Sequence, residues 1–217
     1  MNRDLQAADT TRDPVRLRRY LEVLGLSTAG IPSDATLRQA AGINARTAST
    51  YDGLLERLFI SDRVSSWSSN RLSRLTKRSK RYLNDTALAI AAARVDPASV
   101  LMDGDLLGRV LDTFVFAQLR PELPGLGSQT RLHHLRTENG RQEIDLLIDL
   151  GSRGVAGIEI KASSAPTAKD AKHLSWLRDN LQDRFLGGIV FHTGPHPYSL
   201  GDRLWALPIC LLWATTR

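Results

Sequence analysis

The chain has 217 residues, 42% of them hydrophobic, one cysteine and a formal net charge of +6. This is enough for one large or two small packed domains. It excludes an internal disulfide, and no apolar run approaches the ~20 residues a membrane span needs. The expectation is a soluble, cytoplasmic globular protein. The charge is unevenly placed: up to Asp85 there are 15 Lys/Arg against 9 Asp/Glu, and beyond it 14 of each. A basic front half predicts an anionic partner, of which DNA is the commonest.

In chain order, Pro14 behind a capping Asp13 opens a helix carrying Val15, Leu17, Tyr20, Leu21 and Leu24 at helical spacing. A second helix is predicted from Ser33 or Asp34 to Gly42, and a third from Asn44 to Leu58. Two short helices around a glycine turn resemble a helix-turn-helix with the third helix in the recognition position, exposing Arg46. A β-prone run at 59–67 and a second near Tyr82 would form the wing of a winged helix. Between them Arg71, Arg74, Lys77, Arg78, Lys80 and Arg81 come without an acid, a density suited to phosphate contacts. Trp67, among serines, is the tryptophan expected at a nucleic-acid surface.

Residues 85–94 predict an Ala-rich helix broken at 96–98. The boundary is placed there, with a winged-helix-like basic module at 1–95 and a second domain at 96–217. The second domain is read as a helix from Asp103 or Gly104 to Gln118, strands at 129–136, 142–150 and 155–162, a helix from Pro166 or Thr167 to Leu181, and strands at 185–193 and 204–213. Cys210, Trp205 and Trp213 lie in apolar patterns and are expected in the core, as is Trp176. His133 and His134 alternate across a strand and read as surface residues.

The middle strands carry the chemistry. Glu143 and Asp145 share one strand face, and so do Glu159 and Lys161. If the hairpin register brings those faces together, Asp145, Glu159 and Lys161 converge. Asp145, Glu159 and the carbonyl of Ile160 would then suit a hard cation such as Mg²⁺. Lys161 would position or activate water. An aspartate followed after thirteen residues by Glu-x-Lys resembles the core of the PD-(D/E)xK nuclease superfamily, and the order helix, three strands, helix, strand matches that fold. The expected class is therefore α/β (α+β), a winged-helix-like module followed by a restriction-endonuclease-like mixed-sheet domain.

The segments SKRYLNDTALA, LLGRVLDTFVFAQL, RTENGRQEIDLLID, IEIKAS and GDRLWALPICLLW together resemble a bacterial and archaeal family, the domain of unknown function DUF4143. The resemblance implies a winged helix plus a nuclease-like fold, the C-terminal part of an AAA+-like ATPase. Asp112 and Gln118 stand at the positions aligned with family glutamates of the first core helix, so Asp112 is a candidate third metal ligand. No G-x-x-x-x-G-K-[ST] occurs, so no ATP site is expected here and the ATPase would be a separate partner. The expected function is DNA binding with Mg²⁺-dependent phosphodiester hydrolysis. The alternative is a catalytically inactive DNA-binding or docking module working with that ATPase.

Overall fold

The computed structural model describes residues 13–68, 77–137 and 140–213. They form a mixed α/β fold of two compact units, one made of 1–63 with 80–113, the other of 64–79 with 114–217. The chain therefore passes between units three times rather than once near residue 95.

In the first unit, α1 (Pro14–Leu26), α2 (Asp34–Ala41) and α3 (Ala45–Arg57) are followed by the opening half of β1 (Ser61–Ser66), by β2 (Lys80–Leu83), α4 (Thr86–Ala93), α5 (Pro97–Met102) and the first part of α6 (Gly104–Leu119). The helix starts are capped by side-chain acceptors. Asp13 receives the N–H of Val15 and Arg16, Ser33 that of Thr36, Asn44 that of Thr47, Asp85 that of Leu88 and Asp96 that of Ser99, which satisfies donors a helix cannot satisfy internally. Gly42 closes α2 at φ 68°, where a side chain would be strained. The expected break at 96–98 is instead the start of α5: Asp96 caps it and Pro97 takes the first helical position, where its missing N–H does no harm. Tyr20, Leu24, Leu37, Tyr51, Leu55, Leu83 and Ala89 make the core.

In the second unit the sheet order is β1-β3-β4-β5-β6-β8-β7, with β3 (Arg131–Arg136), β4 (Glu143–Asp149), β5 (Val155–Ile160), β6 (Phe185–His192), β7 (Tyr198–Gly201) and β8 (Leu204–Pro208). The β3-β4-β5 meander is antiparallel, and β6 and then β8 extend it in parallel. Between β5 and β6 lies α7 (Lys172–Leu181), whose Leu174 and Leu177 join Leu147, Val155, Val190 and Leu204 in the core. That helix begins six residues later than Pro166, because Asp170 accepts the backbone N–H and the hydroxyl of Thr167 and ties residues 167–170 into a turn.

Several expectations are corrected here. The final strand stops at Pro208, whose ring removes a ladder donor, and the chain turns into a short 3₁₀ segment, Ile209–Leu212. Cys210 is therefore exposed, and Trp205 and Trp213 are 42% and 56% exposed rather than buried. Conversely Trp67 is 8% exposed and packs in the core, its indole N–H donating to Asp149 (3.0 Å). His133 and His134 are buried, beside Ser65 Oγ (2.9 Å) and the Arg78 carbonyl (3.0 Å). The ladder is interrupted between His133 and Leu135.

Glycines test the packing. A Cβ at Gly25 of α1 would lie 2.8 Å from the backbone of Ala89 and of Ala93 in α4, whereas one at Gly108 of α6 would meet nothing within 4 Å. Gly25→Val should lower unfolding free energy by about 1–3 kcal/mol. Gly108→Ala should raise it by about 0.5–1 kcal/mol. Chemical denaturation of both variants measures the contrast.

Candidate active site

The β4–β5 ladder pairs Leu147 with Gly157 and Leu146 with Ile158. Asp145 and Glu159 are the next residues beyond the last of these pairs, and continuing the register would set them opposite each other on one face. Asp145 Oδ2 accepts the backbone N–H of Ile160 (3.0 Å), so the aspartate is tied to the strand that carries the glutamate. Glu159 is 3% exposed, and Lys161 Nζ donates to its Oε2 at 3.0 Å. The Lys161 backbone N–H donates to the Phe191 carbonyl (2.9 Å), continuing the parallel ladder past the end of β5. Asp145 is thus bonded to the backbone beside Glu159, and its charge acts on Lys161 together with that of Glu159.

Electrostatics fixes the state of the lysine. Burial alone would lower its pKa, but the charge and hydrogen bond of Glu159, with the charges of Asp145 and Asp170, more than offset this and raise it. Lys161 is an ammonium at neutral pH. It can stabilise negative charge and orient a ligand, and it holds no lone pair with which to activate water. Beside it, His173 in the first turn of α7 bonds through Nδ1 to Gln142 Oε1 (2.5 Å).

Asp112 belongs to the first unit, where its Oδ2 is 2.5 Å from Lys80 Nζ and its Oδ1 accepts the Tyr82 hydroxyl (2.8 Å). Lys80 and Arg81 are likewise removed from the phosphate-binding set: both are buried, Lys80 on Asp112 and Arg81 on Asp52 (3.0 Å) and Asp34 (2.6 Å). A cation taken out of water needs a carboxylate partner, and the sequence places those partners 29 to 47 residues away. Arg46 and Arg78 are exposed and Lys77 half-buried. Arg71 and Arg74 lie outside the described residues.

Among the described residues no group of three or more His, Cys, Asp or Glu side chains is placed to hold a metal. Mg²⁺ and Mn²⁺ keep several waters and take one or two protein carboxylates together with substrate phosphate, so a set of two carboxylates does not by itself conflict with such an ion.

Residues 107–212 match the family described as a domain of unknown function, DUF4143. The C-terminal half of this chain is a DUF4143 domain. Four of the five segments that carried the resemblance fall at least partly in this DUF4143 match. SKRYLNDTALA lies in residues 1–99, which match a different family, the domain of unknown function DUF8612. No curated protein and no solved structure matches the chain. The two families meet near residue 100, whereas the compact units exchange 64–79 and divide α6 after Thr113. Family limits here follow the sequence and not the packing.

Glu159 is 3% exposed and has Lys161 as an ion-pair partner. Lys161→Met should destabilise the protein by about 1–3 kcal/mol at pH 7. Glu159→Gln in the same chain should recover part of it. Chemical denaturation of the single and double variants provides the measurement.

Proposed function

We propose that this DUF4143 protein binds DNA through a winged-helix-like front half and cleaves phosphodiesters at Asp145, Glu159 and Lys161 with Mg²⁺, in the cytoplasm. The observation that supports this reading is Lys161 Nζ 3.0 Å from Glu159 Oε2, with Asp145 bonded to the neighbouring Ile160 N–H, at the end of a β3-β4-β5 meander followed by α7 and a parallel β6. Asp145 and Glu159 would hold the metal, which supplies Lewis-acid polarisation of a phosphate oxygen. Lys161 neutralises charge developing on the phosphate and sets its distance from the carboxylates. In the front half, exposed Arg46 at the start of α3 suits a phosphate or a base edge, and Lys77 and Arg78 suit the backbone.

Purified protein should convert supercoiled plasmid to nicked or linear DNA with Mg²⁺ or Mn²⁺ and not with EDTA. Glu159→Gln and Lys161→Ala should each cut the rate by about 10²-fold or more. Equal cleavage by Lys161→Ala, or none by the wild type in either metal, rejects the hydrolytic reading.

One observation favours a second reading, a catalytically silent DNA-binding or docking module that works with a separate AAA+-like ATPase. Asp112, the helix carboxylate expected near the metal, is occupied by Lys80 and Tyr82. In that case duplex DNA binding should be metal-independent and fall steeply with salt. Arg46→Ala, Lys77→Ala and Arg78→Ala should each reduce the slope of log affinity against log salt by about one, as phosphate contacts do. Fluorescence anisotropy between 50 and 200 mM salt reads that slope, and three unchanged slopes would place the DNA contact elsewhere.

A further inference from the structure

We propose that Thr193 is a positioning residue for Lys161, setting the root of the lysine through the two residues that follow it. The inference rests on the phosphodiester reading above and adds what holds its cation in place.

A lysine carries its charge on a flexible four-carbon stem, so a protein places the ammonium first by fixing the backbone from which the stem starts. On one side the sheet does this. Strand β5 ends at Ile160, paired with Phe191, and the Lys161 N–H still donates to the Phe191 carbonyl (2.9 Å). The next rung of a regular parallel ladder would bring the Thr193 N–H to the Lys161 carbonyl. Instead it donates to the carbonyl of Ser163 (3.2 Å), two residues further on, while the Thr193 hydroxyl donates to the carbonyl of Ala162 (2.9 Å). Thr193 thus holds both residues that follow Lys161. Residues 162–166 belong to no helix or strand, so these bonds supply a restraint that secondary structure does not.

Thr193 is itself placed by its neighbours. His192, the last residue of β6, is 1% exposed, and its Nδ1 accepts the Gly194 N–H (3.0 Å), so the chain is tied on both sides of Thr193. A Cβ at Gly194 would lie 2.0 Å from the Ser164 carbonyl oxygen, which puts the segment after Lys161 directly against this glycine. Farther along, the Tyr198 hydroxyl donates to the Pro166 carbonyl (2.7 Å). Residues 192–198 form in this way a clasp on 162–166, and the bonds of Thr193 are the ones closest along the chain to Lys161.

The hydroxyl bond is exposed, so its loss leaves the Ala162 carbonyl to water and costs little stability. Its effect is on placement, and a displacement of about 1 Å in a reacting constellation is enough to cost about 10²-fold in rate.

Thr193→Val removes the hydroxyl at nearly constant shape, and Thr193→Ser keeps it. In the metal-free protein, amide hydrogen exchange read by NMR should quicken by about tenfold at Lys161 and at position 193 in Thr193→Val, with Leu147 of β4 unchanged, and Thr193→Ser should match the wild type. In Mg²⁺-dependent plasmid cleavage Thr193→Val should lower kcat by about tenfold or more with KM little changed, and Thr193→Ser should recover most of it. Unchanged exchange at Lys161 in Thr193→Val overturns the proposal whatever the activity. Thr193→Ser as impaired as Thr193→Val overturns it too, because the hydroxyl would not be what acts. If exchange quickens while kcat stays at the wild-type value, Thr193 does not position the lysine and the hydrolytic reading stands. If the wild type cleaves nothing in Mg²⁺ or Mn²⁺, the hydrolytic reading falls and the positioning role falls with it.

Discussion

The antiparallel register of β4 on β5 is the constraint from which the DUF4143 half takes its shape. Pairing Leu147 with Gly157 does two things at once. It turns Leu147 and Val155 toward α7, where Leu174 closes over Gly157: a Cβ there would lie 2.6 Å from Leu174 Cδ2. It also carries the same face onward to Asp145, Glu159 and Lys161. A slip of one residue would move every one of these side chains to the other side of the sheet, and the core could not form without setting the site. At the opposite end of β4, Asp149 receives the Trp67 indole N–H, which ties the residue just past β1 to the same strand. Apolar burial thus supplies the force that fixes the strand end, and Lys161 offsets the buried charge of Glu159 there.

A parallel economy of charge governs the first unit. Asp52 accepts the Tyr20 hydroxyl (2.7 Å) and pairs with Arg63 (2.6 Å) and Arg81 (3.0 Å). Burial, then the bond to Asp52, pushes the Tyr20 phenol well above its ordinary range, so it remains a donor at any physiological pH. Lys80 and Asp112 form a second buried pair. These pairs join the strand segments to the helices, and removing one partner would leave a buried charge uncompensated. Part of the basic excess of the front half is therefore structural, and the cations left for an anionic partner are fewer than the sequence count suggests.

What the sequence could disclose follows from the range of the forces involved. Local rules were legible: the caps at Asp13, Ser33, Asn44 and Asp85 act within three residues, and strand alternation already placed Glu159 with Lys161. The hairpin itself was legible but its register was not, since β4 carries apolar residues on both faces, Leu146 and Ile148 on one and Leu147 on the other. Long-range choices were not. Trp67 amid serines has no local reason to be buried, because its partner Asp149 lies 82 residues away. Arg81 looks like its neighbours in a basic loop until Asp52 and Asp34 are brought to it. Strand β7 is short and polar, and its ladder partner β8 follows it in the chain. The proline that exposes Cys210 was visible at 208 but was outweighed by the apolar run around it. The contact of His173 with Gln142, thirty-one residues earlier, likewise appears only when α7 lies over the start of β4.

A buried ion pair kept only for stability needs matched partners and nothing more, and replacing it with apolar residues often costs little. At the end of β5 two neighbouring groups are driven in opposite directions by the same surroundings. Against the lowering effect of burial, the charges of Glu159, Asp145 and Asp170 raise the pKa of Lys161, while burial, Lys172 and Lys161 itself lower that of His173. The charge on Lys161 is thus one reason the imidazole is held below its ordinary range. Apolar side chains at those positions would need none of this balancing, and that is the physical argument for treating the strand end as a candidate site and not as core.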